Sequence, residues 1–296
     1  MKKNPKINTV KITDAEYPSL LKEIPNAPEM FYLLGELPKD DIIKVAIVGT
    51  RKAGAAGRRF AKELAQKLTE LGVIIVSGLA MGIDTAAHEG AVLAGGKTIA
   101  VLANGLDTIY PAQNENLAEK ILEFGGAIIS EYKPGTPSFQ NQFLERNRIV
   151  SGLSIATIVI EAPERSGSIV TARLAAEQGR DVFVVTGSID NPNYRGSHQL
   201  IRDGARLVAS IDDILEDLNI NQNVKIKNQN NNLKLKNNIK DENQLLIYKT
   251  LQESGNPLTI DEIIEITKLK PHIANQSVAF LIISGIIKET RSGYSL

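Results

Sequence analysis

The chain has no cysteine, so disulfides, thiolate zinc sites and cysteine nucleophiles are all excluded. No apolar run is long enough to span a membrane. The start, Met1-Lys2-Lys3-Asn4-Pro5-Lys6, opens like a secretion signal but has no apolar stretch behind it, so a cytoplasmic protein is expected. Net charge is also missing: 34 lysines and arginines balance 34 aspartates and glutamates. Affinity for any polyanion must therefore come from local clustering of cations. Among the histidines, His198 and His272 are isolated, and Ser166 and Ser168 have no evident histidine partner, which removes support for a serine hydrolase.

Common cofactor signatures are absent too. Gly49, Gly54 and Gly57 do not fit G-x-G-x-x-G, and the second candidate strand ends in Ser77-Gly78 rather than in a ribose-binding carboxylate. Gly95-Gly96-Lys97-Thr98 looks like the end of a Walker A loop, but Ala91 stands where its first glycine is needed. That run also precedes a strand instead of following one. No cofactor is expected.

What is present is a repeated alternation. Short runs that are apolar on both faces, Lys44–Val48, Val73–Ser77, Lys97–Leu102, Ala127–Ser130, Ala156–Ile160, Asp181–Val185 and Arg206–Ala209, alternate with segments of helical period such as Arg58–Leu71 and Ser168–Gln178. Strands buried on both faces and separated by helices predict an α/β fold with a Rossmann-like, doubly wound parallel sheet over residues 40–218. Residues 1–39, punctuated by Pro18, Pro25, Pro28 and Pro38, read as an arm packed on that domain. Residues 219–243, rich in asparagine and lysine, lack a core pattern and predict a flexible linker. Residues 244–296 regain a pattern of three helices and a hairpin around Arg291-Ser292-Gly293, which predicts a small winged-helix domain.

In an open α/β sheet, ligands bind beyond the carboxyl ends of the strands. The segments there are Gly49-Thr50-Arg51, Ser77-Gly78 with Gly82, Asn104-Gly105 with Tyr110-Pro111, Glu161 through Ser168 with Thr171, and Gly187-Ser188 running to Gly196-Ser197. Glycines for close approach, hydroxyls and amides at helix starts define an anion site. Arg146-Asn147-Arg148 reads as a compact cationic group, joined by Arg51 and Lys133, and its alternative is a solvated helix face paired with Glu145. Phe139, in a polar loop, is placed either to stack on a base or to anchor the loop. Asp84 and His88 sit four apart on one helix face, which suits an acid–base pair or two metal ligands. A helix-capping aspartate beside a buried histidine is the commoner outcome, and no metal is expected.

Together these pieces resemble the DNA-processing protein A (DprA/Smf) family. The matching segments are Val48 to Arg51, Ser77 to His88, Ser130-Glu131-Tyr132 with Pro134-Gly135-Thr136, Phe143 to Ser154, Glu161 with Ser166-Gly167-Ser168 and Thr171-Ala172, and Gly187-Ser188-Ile189. The resemblance runs from about Tyr17 to Leu218. It implies an extended Rossmann fold, a homodimer, and single-stranded DNA held in a basic pocket, protected and delivered to the recombinase RecA, as in natural transformation. Carried over, Arg51, Arg146 and Arg148 are phosphate cations. Gly49, Thr50, Ser77, Gly78, Gly82, Ser166, Gly167, Ser168 and Thr171 supply phosphate-binding amides and hydroxyls, Asn147 orients the loop or contacts a base, and Lys133 and Phe139 add contacts. The chain departs from the family pattern in having a short arm where many members carry a helical domain. It also has Leu144 where proline is common, and Ser197-His198 where the family usually has a residue followed by asparagine.

Two other functions compete with a non-enzymatic DNA binder. Related Rossmann-like phosphoribohydrolases use a Pro-Gly-Gly-x-Gly-Thr-x-x-Glu motif, but here the loop reads Pro163 to Thr171, with Thr171 where the catalytic glutamate is needed. A duplex-reading regulator would need phosphate cations on its recognition helix. The helix expected at Pro271–Ile283 has His272, Asn275 and Gln276 but no lysine or arginine.

Overall fold

The structure is a computed structural model that describes residues 6–218, 220, 241–283, 286–290 and 292–295. Two compact units divide near residue 221. In the first unit, β1 (Asn8–Lys11), α1 (Ser19–Lys22) and β2 (Met30–Gly35) precede an alternating series. That series is β3 (Lys44–Gly49), α2 (Ala55–Glu70), β4 (Ile74–Ser77), α3 (Ile83–Leu93), β5 (Thr98–Val101), α4 (Glu115–Glu123), β6 (Ala127–Ser130), α5 (Gln140–Gly152), β7 (Ala156–Ile160), α6 (Gly167–Glu177), β8 (Asp181–Val185), α7 (Arg195–Arg202), β9 (Arg206–Val208) and α8 (Ile211–Asp217).

The sheet order is β1-β2-β6-β5-β4-β3-β7-β8-β9. From β6 to β9 every pairing is parallel, so the sheet is an extended Rossmann-like arrangement. Its central strands, β3 to β7, are buried on both faces because helices cover both sides. Every residue of β4, β5, β6 and β7 is buried. The order reverses at β3, with β4 on one side and β7 on the other. At such a switch point the following loops diverge to opposite faces and leave a crevice at the carboxyl ends.

The N-terminal segment does more than pack against this domain. β2 joins the sheet antiparallel to β6, and β1 pairs antiparallel with β2. Tyr17, Leu21, Ile24 and Phe31 enter the main core beside Val150 and Leu153, so the arm is a structural edge of the sheet.

The second unit contains α9 (Glu242–Ser254), α10 (Ile260–Thr267), α11 (Pro271–Ile283) and an antiparallel pair, β10 (Lys288–Thr290) with β11 (Gly293–Ser295). Ile247, Tyr248, Leu251, Ile263, Val278, Leu281 and Ile287 form its core. Three helices and a hairpin follow one another as the sequence pattern predicts. Residues 221–240 of the expected linker lie outside the described residues, as do Arg291 and Leu296 of the expected hairpin. The expected linker ends too late, because Asp241 caps α9 by accepting from the Gln244 amide (2.9 Å).

Candidate functional site

The switch point opens into a cleft of about 660 Å³ lined from four directions. Gly49 ends β3 and Thr50 to Lys52 follow it, Gly78 and Ala80 follow β4, and Pro163, Arg165 to Ser168 and Thr171 follow β7. The fourth wall is α5 and its approach, through Ser138, Gln140, Phe143, Leu144, Arg146 and Asn147. The loops containing Gly187-Ser188 and Gly196-Ser197, expected to converge here, do not line the cleft. Gly196 instead donates its amide to the Ala162 carbonyl (2.9 Å), and the Ser197 hydroxyl accepts from the Ala162 amide (3.1 Å).

The end of the cleft suited to an anion is the start of α6. First-turn amides of a helix have no intrahelical acceptor and carry the positive end of its dipole. Ser166 at the N-cap forms no side-chain cap, its hydroxyl being paired with that of Ser168 at 2.8 Å. Gly167 and Ser168 line the cleft, so their amides present a ready site for a phosphate-like group. Asn147 reaches over this end and donates from Nδ2 to the Gly167 carbonyl (3.2 Å), which makes it an orienting residue. Thr171 is buried and its hydroxyl donates to the same carbonyl (3.1 Å). Thr50 gives its amide to the Glu161 carbonyl (2.8 Å) and accepts the Lys52 amide at Oγ1 (3.2 Å), which leaves a hydroxyl proton for a ligand.

The expected trio on α5 does not act as one group. Successive helix residues point about 100° apart, so three in a row cannot share a face. Arg146 is 4% exposed. Its Nη1 donates to the carbonyl of Gly78 at 2.8 Å and to that of Val101. Arg148 turns to the opposite side and does not line the cleft. Its Nη2 donates to both Glu131 carboxylate oxygens (2.7 and 2.8 Å), its Nε to the Asn26 carbonyl (3.0 Å) and its Nη1 to the Glu145 carbonyl (3.0 Å). Arg148 thus ties α5 to the N-terminal segment and is not a free phosphate cation.

The exposed cations in the cleft are Arg51, Lys52 and Arg165. Lys52 and Arg165 were not singled out from sequence. Their signal was a basic residue in a strand-end loop next to a helix start, a pattern weaker than the arginine-rich run. The Arg51 guanidinium lies 4.6 Å from the centre of the Phe143 ring, a cation–π distance. Tyr110 packs against Phe143, with ring centres 5.7 Å apart and planes inclined by 52°. These residues wall a recess of about 70 Å³ with Met81, Pro111 and Arg146. The aromatic surface of the cleft is therefore Phe143 and Tyr110. Phe139 is 55% exposed at the N-cap of α5, and neither it nor the exposed Lys133 lines the cleft.

Behind the cleft lies a buried polar layer. Asp84 accepts the amides of Gly78 (3.1 Å) and Ala80 (3.4 Å), so the Gly78 amide is not available to a ligand. Burial raises the Asp84 carboxyl above its usual range, opposed by the Arg146 charge and by these amides. Burial likewise draws Arg146 down to about 10, against the attraction of Asp84, so it remains charged at neutral pH. The Ser77 hydroxyl is fully buried and donates to the Ile47 carbonyl (2.7 Å), joining β4 to β3 rather than meeting a ligand. Two glycines are required by packing. A Cβ on Gly49 would lie 2.0 Å from the Ile160 carbonyl oxygen, and one on Gly82, whose φ is +86°, would lie 2.4 Å from the Thr50 oxygen. Gly82 therefore seats the Thr50–Arg51 loop, and it does not line the cleft.

His88 is neither a ligand nor a proton shuttle in this arrangement. The Thr98 hydroxyl gives its proton to the Ile75 carbonyl (2.6 Å), so His88 Nδ1, 2.8 Å away, donates to Thr98 Oγ1. Burial first, and the Arg146 charge second, push His88 down to about 3 from 6.5. The unfolded chain takes up a proton below pH 6.5 that the folded chain refuses, so stability falls as pH drops from 6.5 toward 3. This group contributes a slope of about 1.4 kcal/mol per pH unit there. Urea titrations at pH 6.5 and 5 should show a smaller fall in His88→Asn than in the parent, by about 2 kcal/mol. Equal falls in both proteins would refute the assignment. Among the described residues, no cluster of three or more acidic or histidine side chains could hold a metal ion.

A switch-point cleft with an uncapped helix start, exposed cations and an aromatic wall defines a Rossmann-like α/β protein whose strand ends are suited to an anionic ligand. The sequence profile of the family described as DNA recombination-mediator protein A matches residues 8–219, and the chain belongs to that family. The protein Smf of Escherichia coli (strain K12) is 45% identical over 68% of this chain and 54% of its own length. The DNA processing protein DprA of Streptococcus pneumoniae is 44% identical over 71% of this chain and 74% of its own. The chain thus spans about half the length of the Smf relative. The X-ray structure of Streptococcus pneumoniae DprA superposes with a TM-score of 0.65 at 42% identity, covering 71% of this chain and 74% of that one. DNA processing protein A from Helicobacter pylori, whose structure addresses its single-stranded DNA binding mode, gives 0.64 at 30% identity, covering 73% and 96%.

Proposed function

We propose that this protein binds single-stranded DNA in the switch-point cleft, protects it and delivers it to the RecA recombinase during recombination or transformation, as a homodimer in the cytoplasm and without catalysis. The observation that carries this reading is the meeting of Arg51, Lys52 and Arg165 with the α6 amides and the Phe143–Tyr110 wall in one cleft. Phosphates supply affinity through the cations and amides, and unpaired bases reach the aromatic wall without sequence preference. Bases in a duplex are stacked inside it and cannot reach that wall. The kinship with DprA proteins, and the single-stranded DNA described for the Helicobacter pylori relative, support the same ligand. Among the described residues, no helix is long and apolar enough to cross a membrane.

The test is a salt series with oligo-dT and a duplex of equal length. Tighter binding to oligo-dT, with log K falling linearly against log salt, is expected. Equal binding to both, or binding indifferent to salt, would overturn the proposal. RecA delivery is tested separately by whether the protein speeds RecA assembly on oligo-dT, and absence of acceleration removes that part. A nucleotide-cleaving enzyme is disfavoured because Thr171 stands where the catalytic glutamate would be needed, with its hydroxyl held by the Gly167 carbonyl. The one buried acid lining the cleft, Asp84, is bound by backbone amides. Release of free base from nucleoside monophosphates would restore the enzyme reading.

Gly167→Asp provides an internal check. The nearest atom to a Cβ there is Asn147 Nδ2 at 3.8 Å, so a side chain fits. A carboxylate in the first turn of α6 suits the helix dipole, and folding stability should hold or rise by about 0.5 kcal/mol. The same carboxylate occupies the anion position and repels phosphate, so oligo-dT affinity should fall by about tenfold or more. Undiminished affinity in this variant would remove α6 from the binding site.

A further inference from the structure

We infer that Glu161 is a positioning residue for the DNA cleft, holding the Arg51–Ala53 segment in its binding shape from behind; the inference rests on the reading of that cleft as a single-stranded DNA site. Glu161 follows β7 with φ at +51°, a left-handed backbone conformation unusual for a residue with a long side chain. Such strain persists only where the surroundings over-determine it. The residue is buried, at 2% exposure, and grips the neighbouring loop at both ends. Its backbone carbonyl accepts the Thr50 amide (2.8 Å), and its Oε2 accepts the Gly54 amide (2.9 Å). Arg51, Lys52 and Ala53 lie between those two anchors.

A second element braces the same segment. Asn193 donates from Nδ2 to Glu161 Oε2 (3.0 Å) and to the Lys52 carbonyl (3.3 Å), and the Tyr194 hydroxyl donates to Glu161 Oε1 (3.4 Å). Gly57 at the start of α2 is packed so closely that a Cβ there would lie 2.2 Å from Glu161 Oε1. The 191–194 turn is therefore linked to the loop carrying two of the cleft's three exposed cations, through one carboxylate that does not line the cleft.

The sign of the charge separates positioning from electrostatics. A carboxylate behind an anion site disfavours anion binding, so if charge alone mattered, removing it would tighten binding in every Glu161 variant. Positioning predicts a split. Glu161→Gln loses the charge but keeps a carbonyl oxygen for Gly54 and Asn193, and its amide can donate to Tyr194. It should bind oligo-dT at least as tightly as the parent. Glu161→Ala loses both charge and grip, and should bind about tenfold more weakly. Its slope of log K against log salt should be shallower by about 0.7 or more, the share of at least one phosphate contact on a single strand.

The experiment measures oligo-dT affinity and salt slope for the full chain carrying Glu161→Gln, Glu161→Ala, Asn193→Ala or Arg51→Ala, with folding followed by circular dichroism. Loss of affinity and slope in Glu161→Ala and Asn193→Ala, with rescue in Glu161→Gln, supports the inference. A merely structural role would lower the folded fraction without changing the slope of the folded protein. Parent-like affinity and slope in Asn193→Ala and Glu161→Ala, alongside weakened Arg51→Ala, overturns positioning and leaves the cleft reading intact. Parent-like behaviour of Arg51→Ala removes Arg51 from the interface and the inference with it, while the salt series with oligo-dT and duplex decides the cleft reading. If Glu161→Ala does not fold, Asn193→Ala decides the matter alone.

Discussion

Replacing Arg51 with alanine is expected to weaken oligo-dT binding by about tenfold to a hundredfold, the range of one charge-assisted hydrogen bond to phosphate. The slope of log K against log salt should become shallower by about 0.7, because one counterion-releasing contact on a single strand is lost. Stability should barely change, since Arg51 is exposed, meets the Phe143 ring at 4.6 Å and lies near the like charge of Arg146. Exposed cation–π contacts contribute only about 0.5–1 kcal/mol. The paired readout matters here. A fall in affinity with an unchanged salt slope would mean that Arg51 acts through Phe143 and the shape of the recess rather than through a phosphate. An unchanged affinity would remove Arg51 from the interface altogether.

Arg146→Ala should behave in the opposite way, with its first effect on folding. The guanidinium is buried, bonded to the carbonyls of Gly78 and Val101, and attracts the Asp84 carboxylate. Removing it leaves two carbonyls short of a donor and a buried acid without its compensating charge. Breaking such an arrangement from one side costs about 3–5 kcal/mol. Urea unfolding of the parent and the variant at pH 7 provides the measurement, and a difference below about 1 kcal/mol would contradict this role. Oligo-dT binding will fall as well, because the Gly78–Asp84 turn is held by the same group. That loss alone therefore does not make Arg146 a phosphate ligand. Arg146→Lys is not a conservative replacement here, since an ammonium cannot reproduce the planar fork aimed at two carbonyls.

These two arginines show how far the sequence could be read. The seven parallel strands were legible because each is a short apolar run flanked by helical periods, five of them (β3 to β7) buried on both faces. The sheet edge was less so. β1 has one buried residue in four, and β2 lies among prolines that suggest an irregular arm. The switch-point loops were legible from composition because several glycine- and hydroxyl-bearing loops follow strands on the same edge, although single residues among them, such as Ser77 and Ser197, serve packing instead. Side-chain direction was not. Arg146, Asn147 and Arg148 read as a single charge cluster in one dimension, while the turn of α5 sends them to the core, the cleft and the N-terminal segment respectively. Glu161 was less visible still. An acid in Glu161-Ala162-Pro163-Glu164 looks like any loop acid, and nothing in its neighbours announces a left-handed backbone.

The reversal of strand order at β3 also sets when the cleft can exist. Gly49 pairs with Ile160, and the Arg51 loop is braced by Glu161 and Asn193, so its walls come from parts of the chain more than a hundred residues apart. Contacts so distant in sequence close late in folding. While the ribosome has delivered only the strands up to β6, the growing chain can assemble one side of the sheet but has no opposing wall. The cleft is complete only when the stretch from β7 to Asn193 has emerged and docked.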